Sequence, residues 1–437
     1  MDLLENKNIL VLSTNDTNGA GDAMYKIAIL LRNMSCNVKM VVNEKTKQDD
    51  FILQYIPQTD RSLLRRGYNK VKRFFEKKSL AIKTHPKYLF FSQDESQKYI
   101  NAKIFIEEIG FIPDYIFTGL TFGFLTTTDI KNIVLQCSAK VFNITVDMNH
   151  FTGGCHYSWS CKGYENYCEN CPAILDSDLK YIAEKNLRIK LENAQAAQFT
   201  IIAGSGLTLN QAKKSTIYKN QVLINNINSV IDTSIMNPRN KKYAKNVFGF
   251  DYSKFYIMAG AYYMNDERKG FAYLVEALNI IYETANQMER DRMILVLVTK
   301  NKSNAVFENI KMKKIYLDFV KDYRLLSQLY QAVDVFVNTS IEDSGPMMVS
   351  EALACGTPVV GFNTGVVTNL VITGYNGYKA ELRNSQDLAK GIEIIYDLTE
   401  EQYKIYSENS VRQVQQYSSF EYAQEVFRQI LNENDHE

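Results

Sequence analysis

Two series of short apolar runs alternating with helical segments constrain this chain most. The first series predicts buried strands at residues 8–14, 38–42, 115–117, 140–146 and 199–203. The second series predicts strands at residues 255–260, 293–298, 315–319, 333–338 and 357–361. Because apolar runs separated by helices form parallel sheets, the pattern predicts an α/β protein. We expect two doubly wound domains that face each other across a cleft, where such sheets bind ligands.

The length of 437 residues also favours two domains, since one hydrophobic core rarely serves so long a chain. Residues 225–248 are rich in Asn and Lys and contain Pro238, as expected of a connection. We therefore predict an amino-terminal domain at 1–226 and a carboxy-terminal domain at 227–419. A final amphipathic segment, 420–437, is predicted to be a helix that packs back on the amino-terminal domain.

Composition and charge exclude several classes of protein. Apolar residues make up 46% of the chain and charged residues 23%, which are ordinary globular values. The net charge of +1 gives no overall attraction to nucleic acid, and no nucleic-acid partner is expected. The first residues lack the features of a signal peptide, and no apolar run reaches the roughly 18 residues of a membrane span. These features predict a cytoplasmic location.

Two acids in the segment 342–361 form the most informative motif. Asp343 and Glu351 are eight residues apart, after a predicted strand and across a predicted turn and helix. This spacing allows one carboxylate to accept from a sugar hydroxyl while the other accepts from ribose hydroxyls. The helix amino terminus near Gly345 and Pro346 favours a diphosphate. In the alternative interpretation, Asp343 and Ser344 only cap the helix.

This segment resembles the paired-acid motif of glycosyltransferase family 4, although Asp343 stands where that family usually has glutamate. The resemblance continues through Gly365 and residues 376–380 and covers essentially the whole chain. It implies the GT-B fold, which consists of two Rossmann-like domains. It also implies transfer of a sugar from a nucleotide-sugar donor with retention of anomeric configuration.

The same resemblance implies a donor site. In the family a basic residue after the first strand of the second domain holds the diphosphate, and residues 267–271 are similar to that element. Many relatives also carry arginine directly after the strand-ending glycine, but Gly260 is followed by Ala261 here. Fixed cations suit a departing nucleoside diphosphate, on which negative charge develops. The predicted donor-binding residues are Gly19, Gly21, Arg268, Lys269, Ser344, Gly345, Pro346, Met347 and Glu351.

The catalytic candidates are Asp343, Asp147 and His150. Relatives often carry His-Asp before a Met, but Val146 occupies the histidine position here and Asp147 follows it. Valine cannot move a proton, so that role passes to Asp147 or His150 or is unnecessary. In the alternative interpretation these two residues only shape the following loop. No catalytic metal is expected.

Four cysteines crowd into the segment 147–172, at Cys155, Cys161, Cys168 and Cys171. Four thiolates within so short an insertion can surround one structural zinc ion tetrahedrally. Two disulfides or four free thiols are the alternatives. The segment also resembles an insertion in a bacterial subset of family 4 that acts in capsule and exopolysaccharide assembly.

A basic stretch at 61–83 contains nine Lys and Arg residues and one acid. Such a stretch suits an anionic membrane surface, where a lipid-linked acceptor is found. A solvated helix face is the alternative. Taken together, the sequence predicts a retaining transferase that acts on a glycan or lipid-linked glycan in bacterial surface polysaccharide synthesis. The alternative function is a non-catalytic subunit that binds sugar nucleotides. An oxidoreductase lacks support, because no Gly-x-Gly-x-x-Gly follows either first strand.

Overall fold

The computed structural model of the chain describes residues 7–56, 82–91, 93–221, 224–300 and 305–434. The chain divides into two compact units. The first unit comprises Met1–Gly204, Thr208–Asn226 and Gln424–Glu437. The second unit comprises Ser205–Leu207 and Ile227–Ala423. Both ends of the described chain, residues 7 and 434, therefore belong to the first unit.

The described strands are short and apolar. In chain order they are β1 (Asn8–Asn15), β2 (Asn37–Glu44), β3 (Ile52–Gln54), β4 (Tyr115–Thr118), β5 (Lys140–Thr145), β6 (Thr200–Ala203), β7 (Ile224–Asn226), β8 (Phe255–Gly260), β9 (Met293–Thr299), β10 (Lys313–Asp318), β11 (Val335–Asn338), β12 (Val359–Phe362) and β13 (Gly377–Ala380).

The described helices fill the intervals between the strands. In chain order they are α1 (Asn18–Asn33), α2 (Ala102–Ile109), α3 (Thr127–Cys137), α4 (Tyr181–Ala196), α5 (Gly206–Lys214), α6 (Lys241–Val247), α7 (Phe271–Thr284), α8 (Gln287–Arg292), α9 (Tyr323–Ala332), α10 (Met347–Ala354), α11 (Val367–Leu370), α12 (Ser385–Tyr396), α13 (Glu400–Tyr417) and α14 (Phe420–Asn434).

The first unit is built on a parallel sheet with the strand order β3-β2-β1-β4-β5-β6-β7. Strand β1 shows why the apolar runs predict this sheet, because its residues from Ile9 to Leu12 are all fully buried. A parallel sheet covered by helices on both faces has no solvated face, so polar residues do not alternate along its strands. The core of this unit joins Leu10, Ile116 and Val141 from neighbouring strands.

The second unit repeats this design with the order β10-β9-β8-β11-β12-β13, again in parallel pairs. All of β9 is buried, and Met258, Val296 and Phe336 lie in the core. The segment by which the chain enters this unit is hydrogen-bonded to the segment by which it leaves. The Ile231 N–H donates to the carbonyl of Ser418 at 2.8 Å, and the Phe420 N–H donates to the carbonyl of Ile231 at 3.1 Å.

Each sheet has one position where the strand order reverses. In the first unit this switch lies between β1 and β4, and in the second it lies between β8 and β11. Loops that leave the carboxyl ends of two such strands run in opposite directions, which opens a crevice between them. These two positions are therefore where each unit is best placed to bind a ligand.

The structure confirms the predicted fold class, since each of the ten predicted runs overlaps a strand. It adds β3 and β7, each of three residues, which are too short to give a period, and β13, which lies within residues 376–380 of the family resemblance. The predicted connection 225–248 also contains α6, which the Asn240 side chain caps by accepting from the Tyr243 N–H. The last part of α14 belongs to the first unit, where the Phe427 ring meets the Phe117 ring edge-on at 5.5 Å.

Two predictions concern a membrane. Within the described ranges, no helix combines the length and the apolar character that crossing a bilayer requires. Residues 61–81 of the predicted basic stretch 61–83 lie outside the described residues. Membrane contact through 61–83 therefore stays a prediction.

Candidate functional site

An ion pair between Lys269 and Asp343 occupies the switch position of the second unit. Lys269 ends a short 3₁₀ turn, Glu267–Lys269, that follows β8, and Asp343 lies in the loop that follows β11. The Lys269 ammonium donates to Asp343 Oδ2 at 2.5 Å. The side chain of Lys269 is 27% exposed, whereas that of Asp343 is 10% exposed. Two residues 74 positions apart in sequence thus form one charged site.

The surroundings of Asp343 keep it ionised. Burial by itself raises the pKa of this carboxyl, but the charges of Lys269 and Arg268 and a hydrogen bond from the Gly345 N–H outweigh it. The pKa of Asp343 therefore lies below its usual value. The Gly345 N–H donates to Asp343 Oδ1 at 3.2 Å, and the Ser340 hydroxyl donates to Oδ2 at 3.3 Å. Asp343 is thus a fixed carboxylate with acceptor capacity.

Backbone contacts lock the loop after β8 against the loop after β11. The Ile341 N–H donates to the carbonyl of Arg268 at 2.7 Å, and the Thr339 hydroxyl donates to the carbonyl of Lys269 at 2.7 Å. Gly270 has φ +62° and no room for a side chain, since a Cβ would lie 2.0 Å from the Thr339 carbonyl oxygen. The two loops can approach this closely only because residue 270 is glycine.

Arg268 is held separately from Lys269. Its guanidinium pairs with Asp266 Oδ2 at 2.5 Å, and its side chain is 12% exposed. Asp266 also caps the 3₁₀ turn by accepting from the Arg268 N–H. Both predicted cations therefore lie in one turn, with Lys269 more accessible than Arg268.

Glu351 lies inside α10 and is almost fully buried. The Tyr330 hydroxyl donates to Glu351 Oε2 at 3.0 Å. Burial, together with the neighbouring Glu351, raises the pKa of Tyr330 well above its usual value, so the phenol stays a donor. Sequence reasoning missed Tyr330, since a tyrosine on an apolar helix face gives no signal that distinguishes a hydrogen-bonding partner from a core residue.

The start of α10 excludes the alternative in which Asp343 or Ser344 caps the helix. Pro346 is the N-cap residue, no side chain caps the helix, and Met347 is its first residue. The Gly345 N–H bonds to Asp343 outside the helix. The carboxylate of Asp343 therefore serves the loop and Lys269 rather than the helix end.

The predicted glycine turn occupies the switch position of the first unit. Gly19 interrupts the start of α1 with φ 22° and ψ −80°. A Cβ on Gly21 would lie 2.3 Å from Asn15 Oδ1 and 2.8 Å from the Asn15 carbonyl oxygen. The Thr14 hydroxyl donates to the carbonyl of Phe122, which ties the end of β1 to the loop after β4. The turn is thus a tight strand-to-helix connection with its backbone close to the switch.

Asp147 forms a buried dyad with His156, which sequence reasoning did not pair. Asp147 Oδ2 lies 2.5 Å from His156 Nδ1, and the Asn149 N–H donates to Oδ1 at 2.7 Å. Burial raises the pKa of Asp147, but the charge and hydrogen bond of His156 and the Asn149 N–H bring it below its usual value. His156 Nε2 is buried and has no hydrogen-bond partner among the described residues. The ring also meets the edge of Phe91 at 4.5 Å.

His150 lies apart from this dyad's hydrogen bonds. Its Nε2 lies 3.1 Å from the carbonyl oxygen of Ile144. Burial lowers its pKa to about 4, which outweighs the attraction of Asp147. His150 is therefore neutral at physiological pH, and Nε2 donates to the Ile144 carbonyl.

The four clustered cysteines line one small cavity. The interaction between the neighbouring Cys155 and Cys171 thiols raises the pKa of Cys155 and lowers that of Cys171 to about 7. Burial raises the pKa of Cys168 to about 12. No disulfide joins any of the seven cysteines, all of which lie in the described ranges. Throughout those ranges, no three Cys, His, Asp or Glu side chains already stand in metal-ligand geometry.

The structure thus gathers the predicted site residues into separate groups. Lys269, Asp343 and Gly345 meet in the second unit. Asp147 and His150 lie in the first unit, at the beginning of the segment 147–172 and before its four cysteines. The predicted roles of these residues in binding and catalysis stay predictions.

Comparison with known proteins gives this geometry a context. Residues 254–397 match the model of a family described as glycosyl transferases group 1. An uncharacterized glycosyltransferase of Haemophilus influenzae is 25% identical over 196 residues, which are 43% of this chain and 50% of that protein. The chain thus spans about half the length of this curated relative. The range that matches the family model, residues 254–397, contains Arg268, Lys269, Asp343 and Glu351.

Solved structures define the architecture. Sucrose-phosphate synthase from Thermosynechococcus elongatus aligns with a TM-score of 0.66 and 15% identity, over 99% of this chain and 100% of its own. The Anabaena protein HepE in complex with UDP-glucose aligns with a TM-score of 0.62 and 15% identity, over 97% and 99% of the two chains. Identities this low show the fold alone. The protein has the GT-B architecture, and its second unit carries the match to glycosyl transferases group 1.

Proposed function

We propose that this protein is a glycosyltransferase that takes a sugar from a nucleotide-sugar donor. The Lys269–Asp343 ion pair carries the proposal, because it places a cation and a carboxylate together at the switch of the second unit. Ligands of open α/β sheets bind at this position. Both residues also lie inside the range that matches glycosyl transferases group 1. The site therefore supports donor binding in the second unit.

The chemistry of donor cleavage fits these side chains. When the bond between sugar and nucleoside diphosphate breaks, negative charge develops on the departing phosphate. The accessible ammonium of Lys269 and the positive end of the α10 dipole would stabilise that charge. A donor diphosphate would then compete with Asp343 for Lys269. The Asp343 carboxylate so released would accept a hydrogen bond from a hydroxyl of the donor sugar.

The finer proposals concern mechanism, donor and acceptor. We propose retention of anomeric configuration, with a glycan or lipid-linked glycan of bacterial surface polysaccharide synthesis as acceptor. The Anabaena structure contains UDP-glucose, which makes this donor the first to test. The reaction would take place in the cytoplasm, and residues 61–83 would contact the membrane surface.

A donor panel tests the proposal. The purified full-length chain is incubated with UDP-, GDP-, dTDP- and ADP-linked sugars, and thermal unfolding and donor hydrolysis are measured. We expect one donor to raise Tm and to be hydrolysed slowly, with Lys269→Met losing both effects. The proposal is refuted if none of the donors raises Tm and none is hydrolysed. For an active donor, NMR of the first product formed tests retention directly.

The second candidate is a non-catalytic subunit that binds sugar nucleotides. Val146 favours it, since it occupies the position at which relatives have histidine. Both carboxylate oxygens of Asp147 are also engaged, by His156 and by the Asn149 N–H. Tight donor binding without hydrolysis, and without transfer to acceptor extracts, would support this candidate over the enzyme.

A further inference from the structure

The segment that contains the four clustered cysteines surrounds a single small cavity. Cys155, Cys161, Cys168 and Cys171 all line this cavity, which has a volume of about 20 Å³. A space of this size holds one water molecule or one ion. Cys155, Cys168 and Cys171 are buried and belong to the core of the first unit, whereas Cys161 is half-buried. The thiols therefore converge from four chain positions on a space for one small occupant.

Backbone hydrogen bonds fold the loop around this cavity. The Gly163 N–H donates to Cys161 Sγ at 3.4 Å. The Cys168 N–H donates to the carbonyl of Gly163 at 2.9 Å, and the Ile174 N–H donates to the carbonyl of Cys171 at 3.3 Å. These bonds hold the backbone at Cys161, Cys168 and Cys171 beside the cavity that the three side chains line.

The backbone is shaped to bring Cys168 and Cys171 together. Cys168 and Asn170 both adopt left-handed conformations, with φ of 55° and 51°. Neither residue is glycine, so each costs on the order of 1 kcal/mol. These two conformations reverse the chain between Cys168 and Cys171, the pair with the short spacing of a chelate. Strain of this kind persists where another interaction compensates it.

The segment has little regular structure to hold it in place. Between residues 152 and 172, the described backbone forms turns, bends and the 3₁₀ segment Gly163–Glu165. An isolated bridge between Phe90 and Cys155 and another between Thr84 and Ile174 attach it to the chain before it. A cross-link within the segment would supply the order that hydrogen-bonded ladders supply elsewhere.

We infer that Cys155, Cys161, Cys168 and Cys171 bind one structural zinc ion. Four thiols bind Zn²⁺ by releasing four protons, which leaves a site with a net charge of −2. Ligation requires the thiol side chains to rotate from their present orientations, which are not those of metal ligands. A site closed by four sulfurs leaves no position for substrate, so the ion stabilises the fold and does no chemistry.

The test measures metal in the full-length protein. After purification without chelator, elemental analysis should give about one zinc per chain. Replacement with Co²⁺ should give the intense visible bands of tetrahedral cobalt bound to sulfur. The variant Cys168→Ser should retain less than half of the zinc, whereas Cys36→Ser, which alters a buried cysteine outside the segment, should retain all of it.

Two outcomes would overturn the proposal. One is a zinc content near zero in wild-type protein that unfolds cooperatively. The other is a disulfide between Cys155 and Cys171, found by peptide mapping of protein kept under nitrogen. The cobalt spectrum is recorded on the wild-type chain, so the test stands even if Cys168→Ser does not fold. Neither result depends on whether the chain transfers sugars.

Discussion

The ammonium of Lys269 lies 2.5 Å from the carboxylate of Asp343, and the two residues follow the two strands at which the second sheet reverses its order. If this pair belongs to a donor site, removing its cation weakens donor binding. Charged hydrogen bonds contribute about 1.5–3 kcal/mol, so Lys269→Met should raise the donor Kd by roughly 10- to 150-fold. Titration calorimetry with the donor that gives the largest thermal shift measures this change.

A second ion pair provides the control for Lys269. Lys311 pairs with Glu283 at 2.6 Å in the same unit, but both side chains are more than half exposed. Lys311→Met should leave the donor Kd unchanged and alter stability by less than about 1 kcal/mol. Equal effects of the two substitutions on Kd would show that Lys269 does not contact the donor.

Gly270 and Gly249 allow the crowding between the two loops to be measured. Both have positive φ, at +62° and +66°, but a Cβ on Gly249 meets no atom within 4 Å. Gly249→Ala should therefore cost only the backbone penalty of about 1–2 kcal/mol. Gly270→Ala must also displace the Thr339 carbonyl, so we expect a loss of more than about 3 kcal/mol in urea unfolding. Similar losses in the two variants would rule out the close contact between the loops.

Tyr330 should stabilise the fold through Glu351. The substitution Tyr330→Phe removes the donor from a buried carboxylate, which we expect to cost about 1–3 kcal/mol. Tyr263→Phe, at an exposed tyrosine of the same unit, should change stability by less than about 0.5 kcal/mol. Chemical denaturation of both variants measures the difference, and a neutral Tyr330→Phe would contradict the hydrogen bond to Glu351.

His150 should make stability depend on pH in a defined window. As pH falls below about 6.5, the unfolded chain binds a proton at this position, but the folded chain stays neutral until the pKa of about 4. The stabilising contribution of neutral His150 is therefore fully present above pH 6.5. It is lost between pH 6.5 and 4, which lowers the free energy of unfolding by at most about 3 kcal/mol. Asp147, Lys190 and His156 are the charged or titratable groups around it.

Comparison of variants isolates the contribution of His150. We expect His150→Asn to remove part of the loss measured between pH 6.5 and 4. His85→Asn, which alters an exposed histidine of the same unit, should retain that loss. Carboxyl groups with a lowered pKa, such as that of Asp343, stop contributing to stability only at lower pH. They therefore do not mask the loss of stability between pH 6.5 and 4. An unchanged profile for His150→Asn would refute the prediction.

The sequence predicts most of the fold because buried parallel strands are continuous apolar runs. The family resemblance assigns Lys269 and Asp343 to one donor site, but their ion pair depends on β8 and β11 being neighbours in the sheet, and no sequence pattern predicts that strand order. Sequence patterns do not predict a contact that depends on the direction of a side chain. The hydroxyl of Tyr330 and the ring of His156 each reach a buried carboxylate, and neither contact leaves a periodic signal. Strands of three residues, such as β3, are also too short to show one.

The side-by-side bonding of Ile231 with Ser418 and Phe420 bears on how such a protein can be rebuilt. Apart from Ser205–Leu207, the second unit is one continuous segment, Ile227–Ala423, and hydrogen bonds join the chain near the two ends of this segment. Inserted segments with adjacent ends can be exchanged without stretching the host chain. Residues 227–423 can therefore be exchanged as one continuous segment. A chimera with the equivalent segment of another GT-B protein needs two neighbouring junctions and no new linker.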